Sequence, residues 1–324
     1  MNMAYPIMNC NDLVPPTTQT AKGRGGWIMR MEDFIINVYC LVDDEMRKIT
    51  GDSRLRHGGF DPKLSDAEVI TMEIVGEFIG RDADKDIHQY FRLHWRHFFP
   101  GIGVRTTFVR QAANLWKRKE LIRLSLFKRI YPNGCGVNVI DGLPMPVCGF
   151  NRAYFSRIFK EFAAYGYCAA KKMRYYGLKG HLLVTVDGMI VGFSVAAANV
   201  DEREMMFELG IPGGSILLGD KGYILSVLHR IELDSMAVDL QTPLKSNMKD
   251  TRPKWMVGKI CGMRRIIETV IGQLSERVHL EKVRARDRWH LTARTVRKLL
   301  AHTVACFLCH ENGYPMLQFD NLLA

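Results

Sequence analysis

The apolar residues change their period at Pro132-Asn-Gly134, and that change divides the chain into a helical part and a mixed α/β part. Upstream, Phe34, Ile35, Val38, Leu41, Val42, Met46 and Ile49 recur at the spacing that keeps one face of a helix apolar, so a helix is predicted from Met31. Ser65-Asp-Ala-Glu68 has the form of a capping box opening a second helix with Val69, Ile70, Ile74 and Phe78. Two or three more helices are expected up to about Tyr131. The one starting at Arg105-Thr-Thr and running through Trp116 reads either as a helix-turn-helix recognition element or as a core helix. Downstream, Val137-Asn-Val-Ile-Asp141 is a short β-branched run that ends on an acid. Runs at 181–186 and 190–195 flank Asp187-Gly188, the pattern of a tight hairpin. Ser215-Ile-Leu-Leu-Gly-Asp220 reads as a further strand, with helices expected at 200–209 and 224–232 and a strand at 236–240. A helix with the stripe Met263, Ile266, Ile267, Val270, Ile271, Leu274 and Val278 follows.

Charge narrows the class of partner. The 324 residues carry a net charge of +11, which points to a polyanion and hence to nucleic acid. From Lys245 to His302 there are fifteen Lys or Arg against five Asp or Glu, so this segment holds ten of the eleven charges. A solvated helical surface accounts for part of such a run as well. The eight cysteines form no regular framework and no cleavable apolar leader is evident, so reduced thiols in a cytosolic setting are expected. No apolar run reaches the roughly 18 residues of a membrane span, and no membrane partner is expected. Cys306-Phe-Leu-Cys309-His310 matches the pattern for covalent haem attachment, but Val304, Phe307 and Leu308 give it the character of a buried helix end.

Three acids stand out by position: Asp141 at the end of the first strand, Asp220 at the end of a later one, and Glu268 in the helix after the last strand. If the two strands are neighbours, both Asp side chains leave the same sheet edge, where a packed helix can supply the Glu. Three clustered carboxylates repel one another at neutral pH, so the cluster calls for divalent cations, Mg²⁺ or Mn²⁺ and in all two ions, suited to in-line displacement at phosphorus. Gly219 and Gly222 would then allow a tight turn that presents Asp220, and Lys221 would sit beside a phosphate.

The ordered blocks Asp141-Gly142, Tyr176-Gly-Leu-Lys179-Gly-His181, Ala198-Asn-Val-Asp-Glu-Arg203, Gly219-Asp-Lys-Gly-Tyr223 and Arg264-Arg-Ile-Ile-Glu268 resemble those of DDE transposases from bacterial insertion sequences, most nearly the family named after insertion sequence 982. The resemblance runs from about Phe34 to Asn312. It implies an α/β fold, a ribonuclease-H-like mixed-sheet catalytic core preceded by an all-helical N-terminal domain. It also implies cleavage of DNA at the ends of a mobile element and joining of the 3′-hydroxyl ends to target DNA, with Asp141, Asp220 and Glu268 as catalytic and metal-binding residues. The expected organisation is a disordered or upstream extension over 1–30, a helical domain that is a candidate for DNA binding over 31–134, a catalytic domain over 135–312 with a basic loop at 242–260, and a tail over 313–324.

The partners implied are double-stranded DNA, both terminal inverted repeats and target, and a second copy in the active complex. Lys179, His181, Lys221, Lys245, Lys249, Arg264 and Arg265 are the candidate DNA contacts. Cys261 and Ser275 stand where related sequences often have Tyr and Lys, which leaves that second contact to Arg277 and Lys282. Two other readings stay open: a nuclease of the same fold without strand transfer, and a non-catalytic DNA-binding protein, decayed or regulatory.

Overall fold

A computed structural model of the chain describes residues 29–51, 61–169, 171–224, 227–244 and 248–323, with the backbone alone at 227 and 228. The extension expected over the first residues and the Gly-, Arg- and His-rich loop after Thr50 lie largely outside them. The described residues form two compact units, one of Tyr131–Gly272 and one of residues 29–130 and 273–323.

In the first unit a mixed sheet is built from β1 (Val137–Cys148), β2 (Ala164–Cys168), β3 (Met173–Thr185), β4 (Ile190–Ala197), β5 (Ile216–Leu218) and β6 (Asp239–Gln241). The thirteen-residue β3 runs antiparallel to β1 on one edge. Its other edge is shared end to end by β2, which pairs with Met173 to Gly177, and β4, which pairs from Leu178 onward. β1, β5 and β6 are mutually parallel. The β3–β4 hairpin turns at Asp187-Gly188, where Gly188 has φ +92°, a conformation that costs glycine nothing and other residues much. Helices α6 (Glu202–Met205) and α7 (Val227–Ser235) and most of α8 (Lys254–Glu276) complete this unit.

β1 does not end at Asp141, as its β-branched run suggested, but continues to Cys148 through Pro144 and Pro146. β5 pairs with β1 only over Val137 to Val139, so from Asp141 onward β1 has a free edge there. Proline donates no ladder hydrogen bond and is tolerated on such an edge. Asp141 thus stands where β1 changes from a central strand to an edge.

The second unit packs α1 (Met31–Thr50), α2 (Asp66–Phe78), α3 (Asp84–His94), α4 (Arg105–Asn114) and α5 (Trp116–Ile130) with α9 (Arg288–Glu311). The capping box forms: Ser65 Oγ accepts the Glu68 N–H at 3.1 Å, and Glu68 Oε2 accepts the Ser65 N–H at 2.6 Å. The single helix expected from Arg105 through Trp116 breaks at Leu115 into α4 and α5. Buried ions knit the unit. Arg297 on α9 pairs with Glu77 at 2.6 Å and Asp84 at 2.6 Å, Lys298 pairs with Glu77 at 2.9 Å, and Lys119 pairs with Glu73 at 2.5 Å. Arg297 and Lys298 of the basic run are therefore committed inside the helical unit and are not part of a solvent-facing DNA surface, and half-buried Arg294 is tied to Asp84 at 2.6 Å. Cys306 and Cys309 are buried in α9, where desolvation pushes the Cys306 thiol well above its ordinary range and Cys309 up to about 12, as inert packing thiols require. No helix among the described residues is long and apolar enough to cross a membrane.

Candidate active site

The parallel pairing of β1 with β5 sets the site. Its last matched pair is Val139 with Leu218, and Asp141 and Asp220 each follow two residues later, so the two acids stand at the same level just past the paired stretch. Asp141 Oδ1 accepts the Gly142 N–H at 2.7 Å. Asp220 caps the short turn Lys221–Tyr223, its Oδ1 accepting the Gly222 N–H. Each carboxylate keeps a second oxygen outside these local bonds.

Neither Gly219 nor Gly222 has a positive φ, so the expected conformational reason for these glycines gives way to one of space. A Cβ on Gly222 would lie 2.8 Å from Asp220 Oδ1 and 3.2 Å from Glu202 Oε2, and one on Gly219 would meet the Tyr223 ring at 3.1 Å.

A third acid reaches the two aspartates, and it is Glu202, the first residue of α6. Its Oε1 would lie 3.4 Å from a Cβ on Gly142, and it pairs with Lys179 at 3.1 Å. Burial pushes the Asp141 carboxyl up to about 6, the like charges of Asp220 and Glu202 add to the rise, and the Gly142 N–H and Arg264 oppose it. Beneath the acids the Tyr223 side chain is fully buried with its hydroxyl unpaired, and burial together with Glu202, Asp141 and Asp220 drives its ionisation well above the ordinary range. An open cleft of about 580 Å³ adjoins them, lined by Lys179, Asp201, Glu202, Arg203, Lys221 and Gly222 among others. Arg203 is held by Asp201 through a forked pair.

Of the expected triad, Glu268 is not drawn into this group. It sits on an exposed part of α8, one turn beyond Arg264, whose charge does reach Asp141. The α8 stripe of Ile267, Val270 and Leu274 is what the helix buries, and Glu268 follows that stripe by one residue. Among the described residues no group of three His, Cys, Asp or Glu side chains is arranged to hold a metal ion. Mg²⁺ does not require one, since it is commonly held by one or two carboxylates, water and substrate phosphates. The hard oxygens of Asp141 and Asp220, crowded by a further acid, suit such an ion.

The candidate DNA contacts divide. Lys221 is exposed on the cleft wall, Lys179 is half-buried and tied to Glu202, and Lys249 and Arg265 are exposed. His181 is a correction. It is fully buried with both ring nitrogens unpaired, and burial holds it down to about 3, so it is neutral and offers no face to DNA. Arg277 is engaged in the helical unit with Asp320 and over the rings of Phe78 and Phe319. Lys282 ends a 3-10 turn and is exposed, and Lys245 lies outside the described residues. Glu202 was visible in the sequence only as part of a block. An acid at a helix start is ordinary for its dipole, so nothing local marked it.

No curated protein matches the chain. Residues 132–288, which include β1, β5 and the start of α9, match the family described as transposase DDE domain. The two aspartates, level just past the last paired residues of β1 and β5, lie inside the matched segment, and residues 132–288 carry a transposase DDE domain.

Proposed function

We propose that this chain cuts DNA at the ends of an insertion sequence and joins the freed 3′-hydroxyl ends to target DNA, using Mg²⁺ or Mn²⁺. The observation that carries the proposal is the register that sets Asp141 and Asp220 side by side, next to a cleft lined by Glu202, Lys179 and Lys221. The sheet order, with β3 antiparallel to β1 and β1, β5 and β6 parallel, supports a ribonuclease-H-like core.

In this reading Asp141 and Asp220 hold the metal. When bound, the metal supplies Lewis acidity at phosphorus and makes a water or 3′-hydroxyl a better nucleophile, as paired ions do in two-metal phosphoryl transfer. The chain's own groups do the rest. Lys221, free on the cleft wall, neutralises a backbone phosphate and fixes its register without reading sequence. Lys179 and Arg264 offset negative charge around the aspartates, so that a polyanion can approach them. Tyr223 fills the floor beneath the acids and keeps water from their inner side. Glu268 is assigned the third acidic role by family pattern, and its position one turn after Arg264 keeps it on the helix that borders Asp141. Processing two element ends together requires at least two copies of the chain on DNA.

The test is cleavage and strand transfer of a labelled element-end duplex with Mg²⁺, Mn²⁺ or EDTA, beside Asp220→Asn. Metal-dependent joining lost in the variant supports the proposal. Nicking without joining would reduce it to a nuclease. Tight DNA binding with no cleavage under any metal would leave a DNA-binding protein.

A further inference from the structure

The face of the hairpin β2–β3 and the 3-10 turn before it expose aromatic rings that no core absorbs. β2 alternates half-buried Ala164, Gly166 and Cys168 with exposed Tyr165 and Tyr167. Its inner side is seated: a Cβ on Gly166 would strike Ala198 at 2.7 Å and the Tyr175 ring at 3.0 Å, so only glycine lets the strand lie this close. Its outer side is therefore held at a fixed height. There Tyr165 stands opposite Tyr176, with ring centroids 5.2 Å apart, and Phe150 meets Tyr165 edge-on at 5.6 Å. Tyr167 stands opposite Arg174 and is 59% exposed. In the turn Phe150–Phe155, Ala153 is buried and anchors the segment, while Tyr154 and Phe155 are 86% and 81% exposed and touch each other edge to face.

Residues 150–174 also carry Arg152, Arg157, Lys160, Lys171, Lys172 and Arg174, all exposed, against Glu161. Five exposed rings interleaved with six cations make a surface that a second copy of itself would meet charge on charge. A polyanion with flat apolar faces is its complement. Exposed aromatics on a sheet and an adjoining turn, bordered by Arg and Lys, suit stacking of unpaired bases with the backbone held by the cations. Paired bases are stacked on one another and cannot offer those faces.

We propose that this hairpin face is a binding platform for unpaired DNA. The proposal deepens the DNA-processing reading and rests on it only for the source of the strand, an end opened during cleavage. The platform lies within a short reach of the candidate site: along β3, Tyr176 is separated from Leu182, the cross-strand partner of Asp141, by about 20 Å at the rise of a strand.

The experiment is titration of the full chain, in EDTA, with fluorescent oligo-dT and with a blunt duplex of equal length. Wild type is compared with Tyr167→Ala, the double variant Tyr154→Ser with Phe155→Ser, and Tyr167→Phe, each checked for an unchanged thermal midpoint. Loss of one stacked base predicts a fall in oligo-dT affinity of about ten-fold for each of the first two, with little change for duplex and near-wild-type affinity for Tyr167→Phe. Unchanged oligo-dT affinity in both folded variants overturns the platform. So does a concentration-dependent dimer that these substitutions dissolve without touching oligo-dT binding, which would make the face a self-interface. Because no metal is present, a chain that never cleaves can still bind through this face, so the two readings fail separately.

Discussion

Replacing Gly222 by Ala tests how finely the position of Asp220 is set. Gly222 does not need a positive φ, and alanine keeps the N–H that Asp220 Oδ1 accepts, so neither backbone strain nor a lost hydrogen bond intervenes. The added methyl would stand 2.8 Å from Asp220 Oδ1, about 0.6 Å inside the 3.4 Å at which ordinary contact begins, and 3.2 Å from Glu202 Oε2. Both obstacles are ends of flexible side chains, so they move and the fold does not. A shift of this size in a catalytic group, approaching the 1 Å that costs about 10²-fold, predicts a loss of ten- to a hundred-fold in single-turnover cleavage of an element-end duplex. The thermal midpoint should change by no more than about 2 °C, as expected for a substitution well under 1 kcal/mol. Mn²⁺ affinity, read by electron paramagnetic resonance, should weaken alongside. Cleavage and Mn²⁺ binding both within two-fold of wild type, in a folded variant, would refute the view that the crowding at Gly222 positions Asp220.

Glu202→Gln and Glu268→Gln separate the acid found beside the aspartates from the acid assigned by pattern. The first should weaken Mn²⁺ binding to the free protein, while the second should leave that binding unchanged and lower cleavage; the reverse result would place Glu268 in the metal site. Glu77→Gln leaves Arg297 and Lys298 buried without their shared anion and should cost about 3–5 kcal/mol in denaturant melts, a loss to be compared with an exposed control such as Glu311→Gln. His302 is buried, its Nε2 near Gln273 Oε1 at 3.1 Å, and desolvation holds it down to about 3. The unfolded chain takes up this proton at about 6.5 and the folded one does not, so stability should fall by about 1.4 kcal/mol per pH unit from this group as pH drops below 6.5 toward 3. His302→Gln should flatten that part of the curve, and equal slopes in the two proteins would show that His302 is protonated in place.

Much of the site was legible because its two aspartates close apolar runs of β-strand type, and a buried strand ending on an acid demands a partner for that acid. Glu268 was legible as a motif residue but not as a neighbour, because one position along α8 is about 100° of rotation and decides between the buried stripe and solvent. Glu202 carried no local mark of its place. β2 escaped notice since a five-residue Ala-Tyr-Gly-Tyr-Cys run has no apolar alternation, its tyrosines facing outward and its glycine inward. The basic run from Lys245 to His302 read as one electrostatic surface, and nothing in its composition distinguishes Arg297 and Lys298, which are buried against Glu77, from Arg265, which faces solvent.

By itself the amino-acid sequence determined the class of most segments, the capping box, the hairpin at Gly188 and the acids that close apolar runs, because period, caps and turns are settled by neighbours a few residues away. Only the tertiary structure decided which acids meet, which cations are internal and which aromatics are left outside. Those outcomes depend on strand register and helix rotation, which pair residues far apart in the chain, and a shift of one residue in either would exchange the inside for the outside.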